Sequence, residues 1–268
     1  MLKDLQNEQD DRNIFISNIG ICDYKLPISI KIGNKVYNSI CIISSNVALA
    51  KENRGAHLSR IIEVLNDYLY EKEITLVDIN RITKETKIRS ASLGVNLNMD
   101  FDIILERKTP ISNKKSYTTA NLKINNTETD DEVEKSLSIS LYGTMLCPCS
   151  KEISKYGAHN QKCKATISLF GDYESVNLDE IIQIMESSFS ANVYSTIKRE
   201  DEKYITEKAY ENALFSEDLV RNLLLGVSEV YDEKIVAEIV NYESIHEHNV
   251  YARGILGGKA NVRSKKRV

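Results

Sequence analysis

The chain has 268 residues, of which 42% are apolar and 28% are charged, and its formal net charge at pH 7 is −4. This composition is typical of a globular protein with a sizeable core, and the negative charge gives no general attraction for nucleic acid. No apolar run approaches the ~20 residues that span a bilayer, and no apolar signal segment is evident near the start, so we expect a cytoplasmic protein with neither nucleic-acid nor membrane partners.

Alternating apolar residues predict strands in the first half of the chain, and apolar residues three and four apart predict helices. The acidic residues 125–134 predict a connection or hairpin tip rather than an ordered element. The predicted elements, in order, are strands at 14–21, 26–32 and 37–49, helices at 58–69 and 76–86, and strands at 95–107 and 116–124.

The second half repeats this order of elements, with an irregular, charged stretch at 194–203. The repeat predicts an α+β fold of two tandem units, residues 1–130 and 131–268, each with an antiparallel sheet and a helix pair packed on one face. Its predicted elements are strands at 136–146 and 161–170, helices that begin at 178 and 216, and strands at 235–243 and 249–255.

The predicted strand at 136–146 leads into a cluster of candidate metal ligands. Cys147 and Cys149 flank a proline that ends the strand, His159 follows a short polar segment that fits a helix, and Cys163 lies just beyond. All four side chains could close a tetrahedral zinc site, or Cys147 and His159 could bind with a carboxylate and leave one position for water. Ordinary half-buried thiols are the third reading. The tight C-x-C spacing disfavours the closed site.

Three further polar segments hold candidate residues. The charged stretch at 194–203 offers a carboxylate as third ligand, and its Lys198 and Arg199 suit phosphate. Glu217 lies at a predicted helix start, where it either complements the helix dipole or takes two parallel hydrogen bonds from a ligand. On a strand, the i, i+2 spacing of His246 and His248 would put them on one face, and imidazole suits proton transfer near neutral pH.

Taken together, these motifs resemble GTP cyclohydrolase type IB, the metal-dependent prokaryotic form of the first enzyme of folate and related pterin biosynthesis. The resemblance spans nearly the whole chain. It rests on Arg54-Gly-x-His57-x-Ser-Arg60, Gly143-Thr-x-x-Cys147-Pro-Cys149-Ser150, Gly157-Ala-His159-Asn-Gln161, Lys198-Arg199-x-Asp201-Glu202-Lys203, Thr206-Glu207-x-Ala209-Tyr210, Glu217-Asp218 and Glu243-Ser-Ile-His246-x-His248.

The resemblance implies a tunnelling fold with two units per chain, and a homotetramer with active sites at subunit interfaces. It implies one divalent metal per site, with Cys147, His159 and Glu202 as ligands and water in the open position; zinc, iron(II) and manganese(II) all suit such a site. Because Glu200 stands where a small residue is expected, Glu200, Asp201 and Glu202 all stay open as the third ligand.

The remaining roles are also implied by the resemblance. Glu217 would anchor the guanine edge, Cys147 would belong to the catalytic centre, and Cys149 would support it from beside the ligand. His246 and His248 would assist proton transfer near the metal. The candidates for contact with the triphosphate are Arg54, His57, Arg60, Lys198 and Arg199.

The expected reaction converts GTP and water to 7,8-dihydroneopterin triphosphate and formate, through attack of a metal-bound hydroxide on guanine C8. Two alternatives stand beside it. One is a non-enzymatic, zinc-stapled protein that binds a purine or pterin and uses Cys149 and Cys163 as ligands. The other is a tunnelling-fold nitrile reductase with a cysteine nucleophile and a nicotinamide reductant.

Overall fold

The computed structural model describes residues 5–6 and 8–257, which form ten strands and six helices. The basic tail at 259–267, which the sequence predicts to be solvated, lies outside the described residues. Among the helices described, none combines the length and the apolar character needed to cross a membrane. The elements are β1 (Ile16–Ile32), β2 (Lys35–Leu49), α1 (Leu58–Leu69), β3 (Glu73–Thr75), α2 (Leu76–Ser90), β4 (Gly94–Lys108), β5 (Lys115–Thr129), β6 (Val133–Leu146), α3 (Pro148–Ile153), β7 (Asn160–Phe170), α4 (Leu178–Ser188), β8 (Ala191–Asn192), α5 (Arg199–Glu211), α6 (Ser216–Ser228), β9 (Ile235–Tyr242) and β10 (Val250–Leu256).

The chain divides into two compact units, and each of the strands β4, β5 and β6 has residues in both units. The predicted boundary between residues 130 and 131 was drawn from the repeated order of strands and helices. The division into compact units does not test that repeat, so the boundary stays a prediction. The first unit holds the described residues up to Asp102, with Leu122–Leu137 and Gly171–Ser175; the second holds Ile103–Asn121, Ser138–Phe170 and the described residues from Val176 onwards.

In the first unit, β2 pairs antiparallel with both β1 and β4, and the short β3 runs parallel to β1. Alternate residues of β1 point into the core, where Ile28 and Ile30 are buried, and helix α1 packs on this strand. The predicted strands at 14–21 and 26–32 are one strand. The Cys22-Asp23 turn signal is instead a register irregularity, because Asp23 takes a positive φ of 56° within the strand.

In the second unit, β9 pairs antiparallel with both β7 and β10, and β8 pairs with β6. Helix α6 buries an apolar face that includes Leu219 and Leu223, and it packs against β9 and β10. Gly254 on β10 permits this close approach. A Cβ atom at that position would lie 2.7 Å from the side chains of both Val220 and Leu224 on α6.

Two local predictions were wrong. The acidic stretch 125–134 is mostly strand, because β5 continues to Thr129 and β6 begins at Val133, which leaves a short tip. The charged stretch 194–203 is not wholly irregular, because helix α5 begins within it at Arg199. His246 and His248 lie in the loop between β9 and β10, and they also fall between the two predicted strands.

The start of α5 is held by one buried carboxylate, that of Asp201, which has no exposed surface. Its Oδ1 accepts hydrogen bonds from the backbone N–H groups of Ile111 and Ser112, both at 2.9 Å. Its Oδ2 accepts from the backbone N–H of Lys198 at 2.9 Å and from the Ser112 hydroxyl at 2.5 Å. Asp201 therefore fixes the first turn of α5 to the tip between β4 and β5.

These bonds also determine the charge state of the carboxyl group. Burial by itself raises the pKa of Asp201, but the hydrogen bonds from Ser112, Lys198 and Ile111 outweigh it and hold that pKa well below its usual range. The ionised carboxylate can accept all four hydrogen bonds. An amide in its place would point its own N–H hydrogens at groups that are themselves donors.

We expect the Asp201→Asn variant to unfold at a lower urea concentration than the parent protein, because an amide cannot accept all four hydrogen bonds. Urea unfolding followed by circular dichroism measures the midpoint. The matched control is Glu200→Gln, since Glu200 is the exposed neighbour in the same helical turn. Equal midpoints for Asp201→Asn and the parent would contradict the anchoring role.

Candidate active site

The site is organised by a backbone junction between Cys147 and His159. The backbone N–H of Cys147, at the end of β6, donates to the carbonyl oxygen of His159 at 3.1 Å. The Ser150 hydroxyl donates to the Cys147 carbonyl oxygen at 3.1 Å and accepts from the His159 backbone N–H at 3.2 Å. Pro148 is the first residue of α3. A backbone N–H at this position has no partner within the helix, so proline, which lacks one, costs no hydrogen bond there. The two candidate ligands are thus brought together by local structure.

Two polar side chains approach the imidazole of His159 at one ring nitrogen, Nδ1. Its Nδ1 lies 2.9 Å from Oε1 of Gln161 and 4.0 Å from Oε2 of Glu243. The side chains of His159 and Glu243 are 15% and 7% exposed. Gln161 and Glu243 stand in the motifs of the resemblance, but no role was predicted for either. The only sequence signal for Gln161 is its i, i+2 spacing from His159 at the start of a strand.

Helix α5 presents one face to this junction. Leu146, which precedes Cys147, is buried in a small apolar cluster with Ala209 of α5, and Ile205 of α5 packs on the same cluster. Ala158, which precedes His159, packs there as well. Glu202 and Ala209 are two helical turns apart and lie on the same side of α5. Glu202 therefore lies on the helix face that packs beside both candidate ligands.

Among the carboxylates at 200–202, this geometry favours Glu202 as a ligand. Asp201 is fully engaged in the hydrogen bonds that anchor α5. Glu200 and Glu202 are both exposed, but Glu200 lies on the side of the helix opposite to Ala209. Across residues 5–6 and 8–257, however, no three His, Cys, Asp or Glu side chains lie close enough together to hold a metal ion. The structure brings together the Cys147 and His159 segments but does not complete the predicted ligand set.

The alternative closed site receives no support from the positions of its other two cysteines. Cys163 is fully buried on β7, and burial raises the pKa of its thiol to about 12. Cys149 is exposed on the short helix α3.

Glu217 lies in the first turn of α6, with an exposed side chain. Its neighbour Asp218 caps the helix, because Asp218 Oδ2 accepts from the backbone N–H of Phe215 at 3.2 Å. The buried Asn241 side chain donates to the Ser216 hydroxyl at 3.1 Å and so ties the start of α6 to β9. Glu217 thus stands on an anchored helix start, and its carboxylate projects to the surface.

His246 and His248 follow Glu243 in the loop between β9 and β10. Both side chains are exposed, and their rings stack with centroids 5.1 Å apart and an angle of 19° between the planes. The two imidazoles therefore form a pair within the loop, without the alternation of a strand.

The candidate triphosphate contacts fall into both units. In the first unit, Arg54 forms an ion pair with Glu8, and Arg60 donates to the carbonyl oxygen of Arg89 at 3.1 Å. His57 is the residue that precedes α1 and lines a cavity of about 110 Å³ with Arg60. In the second unit, Lys198 and Arg199 are exposed at the start of α5. Their predicted role stays a prediction.

Comparison with solved structures supports the fold. The structure of a hyper-thermostable AgUricase mutant superposes with a TM-score of 0.54 at 8% identity, and covers 91% of this chain and 92% of that one. Uricase is a tunnelling-fold protein, so the predicted α+β tunnelling fold is confirmed. At this low identity the similarity concerns the fold alone.

Sequence comparison gives the family. The family model described as "Type I GTP cyclohydrolase folE2" matches residues 2–252. GTP cyclohydrolase FolE2 of Fervidobacterium nodosum is 40% identical over 256 residues, which is 94% of this chain and 96% of the relative. The FolE2 proteins of Thermosipho africanus and Neisseria gonorrhoeae are 37% and 34% identical, each over 94% of this chain and over 96% and 97% of their own lengths. The resemblance noted in the sequence is confirmed, and the chain belongs to the type I GTP cyclohydrolase FolE2 family of enzymes.

Proposed function

We propose that this protein is a GTP cyclohydrolase that converts GTP and water to 7,8-dihydroneopterin triphosphate and formate, the first step of folate and pterin biosynthesis. Family membership supports the activity. The structural observation that carries the proposal is the hydrogen-bonded junction of the Cys147 and His159 backbones, which makes a thiol-bearing and an imidazole-bearing residue direct neighbours.

A divalent metal fits the side chains at this junction. Nδ1 of His159 is engaged by Gln161, which leaves Nε2 as the nitrogen for an ion. Cys147 is half-buried, and Glu202 lies on the face of α5 that packs beside the junction. We propose these three residues as the ligands, with zinc, iron(II) or manganese(II) as the ion. When bound, such an ion supplies a Lewis acid and makes water acidic enough to act as a nucleophile at neutral pH.

The other side chains have roles in binding the substrate and moving protons. The Glu217 carboxylate can accept two parallel hydrogen bonds from N–H groups on the guanine edge, which would orient C8 towards the junction. Opening the imidazole ring of guanine requires protons to be delivered and removed, and the paired His246 and His248 are suited to this. Cys149, exposed beside Cys147, would support the ligand segment.

For the triphosphate we propose cationic side chains and a helix start. Lys198 and Arg199 are exposed at the beginning of α5, where the backbone N–H groups add partial positive charge. Arg54, His57 and Arg60 are the candidates in the first unit.

We further propose a cytoplasmic homotetramer with active sites at subunit interfaces. This assembly rests on the family resemblance, and a solution molar mass of four chains would agree with it.

We expect purified protein loaded with one divalent metal to release formate and a neopterin product from GTP under anaerobic conditions. Formate is assayed directly and the pterin by fluorescence after oxidation. Chelation should abolish both products, and a single metal should restore them. Formate without neopterin would indicate an enzyme that stops at a ring-opened intermediate, and neither product with one tightly held zinc per chain would favour the zinc-stapled binding protein.

The Cys147→Ala variant should lose both metal and turnover in the same assay, because it removes a ligand. Cys22→Ala is the matched control, since Cys22 is an exposed cysteine of β1 in the first unit. Full turnover of metal-free Cys147→Ala would refute the proposed metal centre.

We expect Glu202→Gln to weaken metal binding about 10–100-fold or more, because the amide oxygen carries no charge. Glu200→Gln should leave the affinity unchanged, since Glu200 is not on the helix face of Ala209. Competition against a chelator of known affinity gives the dissociation constant for each variant. A loss in Glu200→Gln but not in Glu202→Gln would reverse the assignment of the third ligand.

A further inference from the structure

Two polar side chains lie near the same ring nitrogen of His159, and one of them, Gln161, is within hydrogen-bond distance. The Gln161 Oε1 atom lies 2.9 Å from Nδ1, and Glu243 Oε2 lies 4.0 Å from it. We propose that Gln161 and Glu243 are positioning residues that hold His159 as the tautomer with its proton on Nδ1, so that Nε2 is bare for an ion. This inference rests on the proposed metal centre and extends it to residues for which no role was predicted.

The backbone places Gln161 and Glu243 opposite each other. Strands β7 and β9 pair antiparallel, with Lys162 opposite Tyr242 and Cys163 opposite Asn241. Continued by one residue, this register sets Gln161 opposite Glu243, just beyond the end of β9. Side chains of directly opposed residues are neighbours on the same face of a sheet. Gln161 is therefore positioned by β7 itself, and Glu243 by its place directly after the last residue of β9.

Burial restricts the movement of the Gln161 and Glu243 side chains. Gln161 is 7% exposed, and the side chain of Glu243 is also 7% exposed. Neither can exchange its contact with the imidazole freely for a contact with bulk water. A carboxylate in such a place is costly unless polar or charged groups compensate it. The N–H dipole of His159, with an ion on the far side of the ring, would provide that compensation.

Both contacts favour the same tautomer. A neutral imidazole carries one proton, and the nitrogen without it has the lone pair that binds metal. The amide oxygen of Gln161 can only accept, so it stabilises a proton on Nδ1. The negative charge of Glu243 also favours the proton on the nearer nitrogen. The hydrogen bond made by one ring nitrogen thus decides which nitrogen is available to an ion.

The direct test is nuclear magnetic resonance of the metal-free, full-length protein with ¹⁵N-labelled histidine, at about pH 8, where imidazole is neutral. Long-range ¹H–¹⁵N correlation distinguishes protonated from bare ring nitrogens. Assignment comes from the signal that disappears in His159→Asn. We expect a protonated Nδ1 and a bare Nε2 in the parent protein. A bare Nδ1 would overturn the proposal, since Gln161 would then present its NH₂ group to the ring.

Variants separate positioning from simple support of the fold. Gln161→Leu should give a mixture of tautomers and weaken zinc binding about 10–100-fold in chelator competition, whereas Gln161→Glu retains an acceptor and should keep the protonated Nδ1. Glu243→Gln should shift the tautomer in the same direction as Gln161→Leu, but less. Lys162→Met, on the opposite face of β7, is the control and should change neither readout.

A folded Gln161→Leu variant with the parent tautomer and parent zinc affinity would also refute the proposal. The tautomer is measured without metal or GTP, so its outcome is independent of the proposed reaction. If GTP is not converted but the tautomer and the zinc affinity respond as expected, the proposed function fails and the positioning role stands.

Discussion

The candidate site depends on a short stretch of backbone in which two chain segments are held together before any metal is considered. The Cys147 N–H donates to the His159 carbonyl, and the Ser150 hydroxyl bridges the same two residues. These bonds satisfy backbone groups that would otherwise be left unpaired where β6 ends. As a result, the backbones of a cysteine and a histidine are held side by side by hydrogen bonds of the main chain.

The second constraint acts on the carboxylate side of the site. Helix α5 is set by two separate contacts, the Asp201 anchor at its first turn and the packing of Ala209 against Leu146 further along. Two fixed points determine both the rotation and the position of a helix. Glu202 lies between them, so its direction follows from the helix period once both contacts are made.

The sequence predicts well those elements whose burial is strongly periodic. The helix predicted from apolar residues between Leu58 and Leu69 is confirmed as α1, because these residues form one clear stripe. Helix α5 was missed because only Asp201 and Ala209 of its residues are buried, so it has no apolar stripe. The charged residues at the start of α5 predicted a loop, whereas one of them, Asp201, anchors the helix.

The site shows the same division between local pattern and tertiary contact. Cys147 and His159 were identified because their residue types and spacing carry the chemistry. To choose among Glu200, Asp201 and Glu202, one has to know which carboxylate is already engaged in hydrogen bonds, and only the structure shows this. The role of Gln161 depends on a distance of 2.9 Å to a ring nitrogen, and a glutamine in a strand gives no sign of such a contact.

The Asp201 anchor also implies an order of assembly during folding. The bond between Ile111 and Asp201 joins residues 90 positions apart, whereas the junction of Cys147 and His159 closes a short loop. Short loops close at a smaller entropic cost and faster than long ones. The junction of Cys147 and His159 can therefore form at a smaller entropic cost than the Asp201 anchor, which sets the direction of Glu202. With the ligand set proposed above, a chain whose residues beyond 200 are not yet made would offer a soft-metal ion two ligands at most.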